Sequence, residues 1–287
     1  MAALAAVYNG QTSGDWSINL FYNNSIGQLA FLLKSGTEVA DPGFSAWDSG
    51  DNDYQGYILN PSTMAAGTFS GVNFIVAVTK PSSKSETQTA NQISIVSPVY
   101  QKLDTTSLGN NTVTVCTGGT ECWVYYLHNA SNSTVSLKQY ELVTGDISTV
   151  LEDGVMSANS QLASWWVSDT ERYVIFQDKE TLLLKEFNVA TGKSVDIEAT
   201  KDAKEGTTLA VSFVNRVFLY YTDKQSNLRR VLKENDSWGE SKDIADIPKV
   251  GSSQITAVAA NNYNHLFYMA QQNTKDEFTH VKDLLYG

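Results

Sequence analysis

The stretch Leu162–Phe187, LASWWVSDTERYVIFQDKETLLLKEF, decides the architecture. It breaks into three apolar bursts, Leu162–Trp166, Tyr173–Phe176 and Leu182–Phe187, separated by polar clusters at Ser168–Glu171 and Gln177–Glu180. Aromatic and β-branched residues fill the bursts, as strands require. A helix needs an apolar stripe sustained over roughly ten residues or more, and each burst ends well before that. Three short antiparallel strands are predicted.

The same pattern returns at Leu209–Val231, at Ile255–Val281, at Val113–Tyr140 around CWVYYL, and at Leu4–Leu33 around INLFYNN. Copies start about 46 to 50 residues apart, a period that marks propellers and arrays. The polar segments between copies leave room for a fourth, outer strand, for example at Ser237–Ile244. One such unit cannot bury its own apolar face and must stack on neighbours. The expectation is therefore a single all-β domain, a six-bladed β-propeller of mostly four-stranded antiparallel blades, over 4–60, 61–110, 111–153, 161–202, 207–250 and 254–287.

Three places strain this pattern. Blade one is overlong, carrying DPGFSAWDSGDNDYQGYILN at Asp41–Asn60 with Phe44, Trp47, Tyr54 and Tyr57. That segment reads equally as a loop covering a ligand or as an outer strand with an elaborate turn. Blade two is the poorest copy, with strands expected at Thr63–Ala66, Phe74–Val78 and Ile93–Val96 and a polar excursion at Pro81–Asn91. Blade six stops after its third strand, and Leu4–Tyr8 reads as an inner strand of blade one, so ring closure by strand exchange has no candidate.

Composition narrows the function classes. Net charge is −11 and no Lys/Arg run interrupts it, which argues against a nucleic-acid groove. No apolar run is long enough to span a membrane as a helix. The opening MAALAAVYNG lacks the basic flank and apolar core of a signal peptide and reads as a start methionine before the first strand. Cys116 and Cys122 bracket TGGTE, so a disulfide across a tight hairpin competes with two buried free thiols. Sequons at Asn23, Asn110, Asn129, Asn132 and Asn235 permit glycosylation without demanding it. Together these favour a secreted or secretory-pathway protein. A homodimer stays open.

Motifs for hydrolysis, phosphate binding and dinucleotide binding are missing, and neither a metal site nor a cofactor is expected. The three histidines are His128, His265 and His280. His265 and His280 occupy equivalent positions on neighbouring strands of blade six, as a shared acid/base or metal pair or as a plain hydrogen-bonded pair.

The blade pattern resembles that of the fungal fucose-specific lectins, which are six-bladed propellers. The likeness is carried by Tyr173–Asp178 (YVIFQD) and Leu184–Glu186 (LKE), then by Phe218–Asp223 (FLYYTD), Leu228–Arg230 and Trp238. In those lectins an Arg from the second strand, a Glu from the third and an aromatic platform hold fucose between blades. Carried over by register, the Arg position falls on Asn19, Trp123, Tyr173, Phe218 and His265. The Glu position falls on Phe31, Gln139, Glu186, Arg230 and His280. No blade keeps the pair, so the multivalent fucose site is not expected.

A lectin-like propeller without that pair also resembles the fungal hetero-Diels–Alderases of tropolonic sesquiterpene biosynthesis. That resemblance implies a cofactor-free cycloaddition between a tropolone ortho-quinone methide and a humulene-type alkene, two apolar partners held face to face. Tyr173, His265, His280 and Arg230 would then donate hydrogen bonds to the tropolone oxygens, and Glu186 would act as acid or base. Trp123, Trp165 and Phe218 would wall the pocket, with Trp47 and Tyr54 contributing from the long loop. The alternative is a divergent secreted lectin whose partners are glycans other than fucose. Equivalent pockets repeated around the ring would favour recognition; one deep asymmetric pocket would favour chemistry.

Overall fold

The computed structural model describes residues 2–12, 14–50, 56–81, 88–129, 134–152, 154–168, 170–273 and 277–286. Six antiparallel sheets follow one another along the chain, each built from neighbouring strands in sequence order. The first strands, Leu4–Tyr8, Met64–Phe69, Val113–Gly118, Ala163–Ser168, Leu209–Phe213 and Thr256–Ala260, neighbour one another in a closed cycle. They line a narrow axial channel of ≈ 100 Å³. The fold is a six-bladed β-propeller.

Core clusters lie between sheets as well as within them. Leu162, Val174 and Phe187 of blade four pack with Trp123, Tyr125 and Leu137 of blade three, while Trp165, Ile175 and Leu184 on the other face pack with Leu209, Leu219 and Val231 of blade five. Strand alternation produces this, because successive residues face opposite neighbours. A threonine ahead of an inner strand bolts blade to blade: Val113 N donates to Thr63 Oγ1 (2.8 Å), Leu162 N to Thr112 Oγ1 (3.1 Å) and Ile255 N to Thr208 Oγ1 (2.8 Å).

Among the described residues blade six has three strands, Thr256–Ala260, Tyr263–Tyr268 and Thr279–Leu284. The ring is joined by a parallel bridge between Ala2 and Ser253 and by Gln254, whose side chain bonds Leu4 N (3.0 Å), Met64 N (2.9 Å) and Met64 O (2.8 Å). Further out, Lys282 Nζ donates to Thr37 O (2.9 Å) across the same seam.

Several expectations need correction or placement. Cys116 and Cys122 are both free and buried. Cys116 pairs with Trp123 and Cys122 with Thr117, so the two side chains leave opposite faces of the hairpin. One packs toward blade four and the other toward blade two, which rules out a bridge between them. The segment Phe44–Asp48 is an outer strand, with Trp47 opposite Phe31 and 47% exposed. Tyr54 lies outside the described residues, as does 82–87 of the blade-two excursion. The expected strand at Ser237–Ile244 is two short pieces, Ser237–Trp238 and Lys242–Asp243. Among the sequons, Asn23 and Asn110 are buried, and Asn23 Oδ1 accepts from Ala3 N at 2.7 Å. Asn129 is half-buried, Asn235 is exposed in a turn, and Asn132 lies outside the described residues.

Candidate functional site

Register places one set of side chains on the same face in five of the six blades. Tyr125 opposes Gln139, Ile175 opposes Glu186, Tyr220 opposes Arg230, Phe267 opposes His280 and Phe21 opposes Phe31. Each set looks into the gap toward the next blade. The residues singled out from sequence are thereby distributed over successive gaps and do not converge on one cavity.

The gap between blades four and five holds the densest constellation. Trp165 and Tyr173 are cross-strand neighbours whose rings stack at 4.9 Å and 10°. Trp238, from the outer strand of blade five, meets Trp165 edge-on at 6.4 Å. Glu186 is buried between them: Lys233 Nζ reaches Glu186 Oε1 at 2.8 Å, and Trp238 Nε1 donates to Oε2 at 2.9 Å. Lys233 also sits 4.9 Å from the Tyr173 ring centre, a cation–π contact. Burial, with help from Glu171, pushes the Tyr173 phenol up, so it is a neutral hydroxyl at physiological pH. Trp238 borders a surface groove of ≈ 780 Å³ together with Val195, Ala199, Arg229 and Ser241.

Neighbouring gaps repeat the theme with different residues. Between blades three and four, the guanidinium of Arg172 lies 3.8 Å from the Trp123 ring centre. Its Nη1 donates to Tyr125 Oη (3.2 Å) and Gln139 Oε1 (3.4 Å). Between blades five and six, Arg230 Nη1 meets Asp283 Oδ1 at 2.5 Å, and Tyr220 Oη donates to Asp283 Oδ2 at 2.6 Å. Phe218 is fully buried beneath them.

The gap between blades six and one holds the histidines. His265 Nδ1 and His280 Nε2 are 2.8 Å apart, and His265 Nε2 donates to Ala260 O at 3.1 Å. Both rings are buried, and His280 stacks on Phe267 at 4.4 Å. Burial pushes both imidazoles down, so the pair is neutral. Among the described residues no cluster of His, Cys, Asp and Glu is arranged to hold a metal ion. The gap between blades one and two is apolar: Phe21 meets Phe31 at 5.1 Å and Phe31 meets Trp47 at 6.5 Å, packed with aliphatic residues such as Met64 and Ile75.

Two cations were missed by carrying the lectin positions over. Lys233 stands on the third strand of blade five and Arg172 on the second strand of blade four, one residue before Tyr173, and each enters a gap from the blade that follows it. The carboxylate Glu186 was legible, and so was Trp238.

Comparison with known proteins agrees with this geometry at the level of fold. No protein-family model matches the chain. The sequence is 29% identical to the "Wall-associated proteinase" of Coccidioides immitis, covering 89% of this chain and 88% of that protein. It is 28% identical to the protein of the same name from Coccidioides posadasii, with the same coverage. Among solved structures it is similar to a point mutant of the Aleuria aurantia lectin in complex with alpha-methyl-L-fucoside, with a TM-score of 0.65, 13% identity and coverage of 99% of this chain and 96% of that one. AofleA from Arthrobotrys oligospora gives a TM-score of 0.65 at 14% identity, over 98% of this chain and 86% of that one. The chain has the six-bladed propeller scaffold of these fungal lectins.

Proposed function

We propose that the protein is an extracellular carbohydrate-binding propeller that recognises glycans at its inter-blade gaps. The observation that carries this is the Glu186–Lys233 pair enclosed by Trp165, Tyr173 and Trp238. A carboxylate and a cation side by side grip vicinal hydroxyls, and rings cover the apolar face of a sugar. The cation comes from the following blade, so the sugar-gripping chemistry of the lectin-like scaffold is kept in a changed register. Cations in three successive gaps, two of them set against rings, favour repeated recognition over a single reaction chamber. The names of the Coccidioides relatives fit a protein at the cell wall, where glycans are the abundant partner.

The test is a glycan array followed by calorimetry on the best hit. Trp238→Ala, a half-buried outer-strand residue, should remove binding while leaving the fold intact, and Glu186→Gln should weaken it. A protein that binds no glycan, or binds one equally well in both variants, contradicts the proposal. Saturating sugar at about 100 times its Kd should stabilise the fold by about 2.7 kcal/mol.

The cycloaddition reading draws support from the aromatic content of the gaps. Its named residues, however, lie in separate gaps: Trp123 in one, Trp165, Tyr173 and Glu186 in the next, Phe218 and Arg230 in a third, His265 and His280 in a fourth. Incubation with a tropolone quinone-methide precursor and humulenol would support it only if adduct formed in one enantiomer above background. Peptide hydrolysis, suggested by the relatives' name, finds little machinery: among the described residues no histidine ring hydrogen-bonds a Ser, Cys or carboxylate. Cleavage of a quenched casein substrate by the purified protein would reverse that ranking.

A further inference from the structure

The cations in three successive gaps are not equally satisfied. Lys233 meets Glu186 and Arg230 meets Asp283, so those two gaps are neutralised from within. Arg172 has no carboxylate partner among the described residues. The position that Glu186 holds in blade four is held in blade three by Gln139, a neutral amide. Both protein acceptors of Arg172, Tyr125 Oη and Gln139 Oε1, are uncharged, and both are served by the same nitrogen, Nη1.

That leaves the Nε–Nη2 edge of the guanidinium. Nε is buried without a hydrogen-bond partner, and Nη2 has no protein acceptor among the described residues. This is the edge whose two parallel N–H groups match the two oxygens of a carboxylate. Trp166 stands directly across the strand pair from Arg172, and its indole Nε1 is likewise buried and unpartnered. Both donors are held by blade three. The Trp166 ring lies flat over Gly118, where a Cβ would come within 1.9 Å of it, and the guanidinium lies on Trp123 at 3.8 Å. Unpaired buried donors and an uncompensated cation are each unfavourable, and an anionic acceptor at the guanidinium edge relieves the Arg172 part of that cost. The chain's net charge of −11 opposes anions at long range, so selectivity here comes from the fork itself.

We propose that the gap between blades three and four is a subsite for the carboxylate of an acidic sugar, gripped by the free edge of Arg172 beside Trp166. This rests on the glycan-binding reading and sharpens it: the ring is selective for sugar acids at this gap, while the gap between blades four and five carries its own internal carboxylate and suits neutral sugars.

The experiment is calorimetry at pH 7 with methyl glucuronide, methyl glucoside, acetate and a peptide with a free C-terminus. Methyl glucuronide should bind at least about tenfold more tightly than methyl glucoside. Gln139→Glu supplies the missing carboxylate from within, as Glu186 does next door. It should abolish the preference while circular dichroism and melting temperature are kept, and Arg172→Met should abolish it too. Equal binding of the two glycosides, or a Gln139→Glu protein that still prefers the glucuronide, overturns the proposal. Acetate or the peptide binding as tightly as the glucuronide overturns its sugar part. Neutral glycans that still bind in a Trp238-dependent manner would show the broader reading surviving such a failure.

Discussion

Replacing His280 with glutamine should flatten the acid sensitivity of the ring. His265 Nε2–H donates to Ala260 O, so His265 Nδ1 must accept, and the proton in the 2.8 Å contact belongs to His280 Nε2. His280 Nδ1 is then left bare and buried without a partner. Protonating it would place a charge in an apolar wall, next to His265 and near Lys34 and Lys282. Burial first, then the adjoining His265 ring and the Lys34 and Lys282 ammoniums, hold the His280 imidazole down to about 3. An unfolded histidine titrates near 6.5. Because the folded value is the lower one, the stability tied to the neutral ring is complete above about pH 6.5 and is lost as pH falls toward the folded value. At pH 5 the loss relative to pH 7 is about 2 kcal/mol, or roughly 3–6 °C in Tm. The residue sits at the seam joining the last blade to the first, so the loss falls on ring closure. Urea unfolding of wild type and His280→Gln at pH 7 and pH 5 isolates the effect, since titrating carboxylates are common to both proteins. Glutamine keeps an N–H for His265 and cannot titrate. The wild type should lose about 2 kcal/mol more than the variant. Equal losses would refute the reasoning.

Other outcomes follow from packing. Lys233→Met alone strands the buried Glu186 carboxylate and should cost about 3–5 kcal/mol by chemical denaturation, whereas Lys233→Met with Glu186→Leu should recover most of it. Gly118→Ala forces the Trp166 ring off blade three and should destabilise by about 1–3 kcal/mol, with a change in tryptophan fluorescence. Burial pushes both thiols up to about 12, so Cys116 and Cys122 should resist a thiol reagent in the native protein and react together on unfolding. A reducing agent should leave Tm unchanged; a fall in Tm would mean that the cysteines are bridged.

The blades were legible because a strand announces itself locally: a burst such as Tyr173–Phe176 between polar turns needs nothing distant to be recognised. Faces were legible too, since alternation carried the register correctly from Glu186 to Gln139, Arg230 and His280. What local patterns do not contain is which residue crosses into a gap from the other side. Here the propeller imposes a rule of its own. A group from one blade meets its partner in the next about one repeat away, and the contacts obey this: Lys233 to Glu186 is 47 residues, Arg172 to Tyr125 is 47, Thr63 to Val113 is 50, and Arg230 to Asp283 is 53. Looking for the cation on the same blade as the carboxylate therefore finds Tyr173, and looking one period onward finds Lys233. The disulfide failed for a related reason. Spacing brings Cys116 and Cys122 to one hairpin, but their odd offset across the strand pair sends them to different gaps. In a ring built of repeats, the chemistry of a gap belongs to two blades at once, and its charge balance is decided by residues one period apart. Gln139 facing Arg172, where the next gap has Glu186 facing Lys233, is the one substitution in that series that leaves a charge for a ligand to answer.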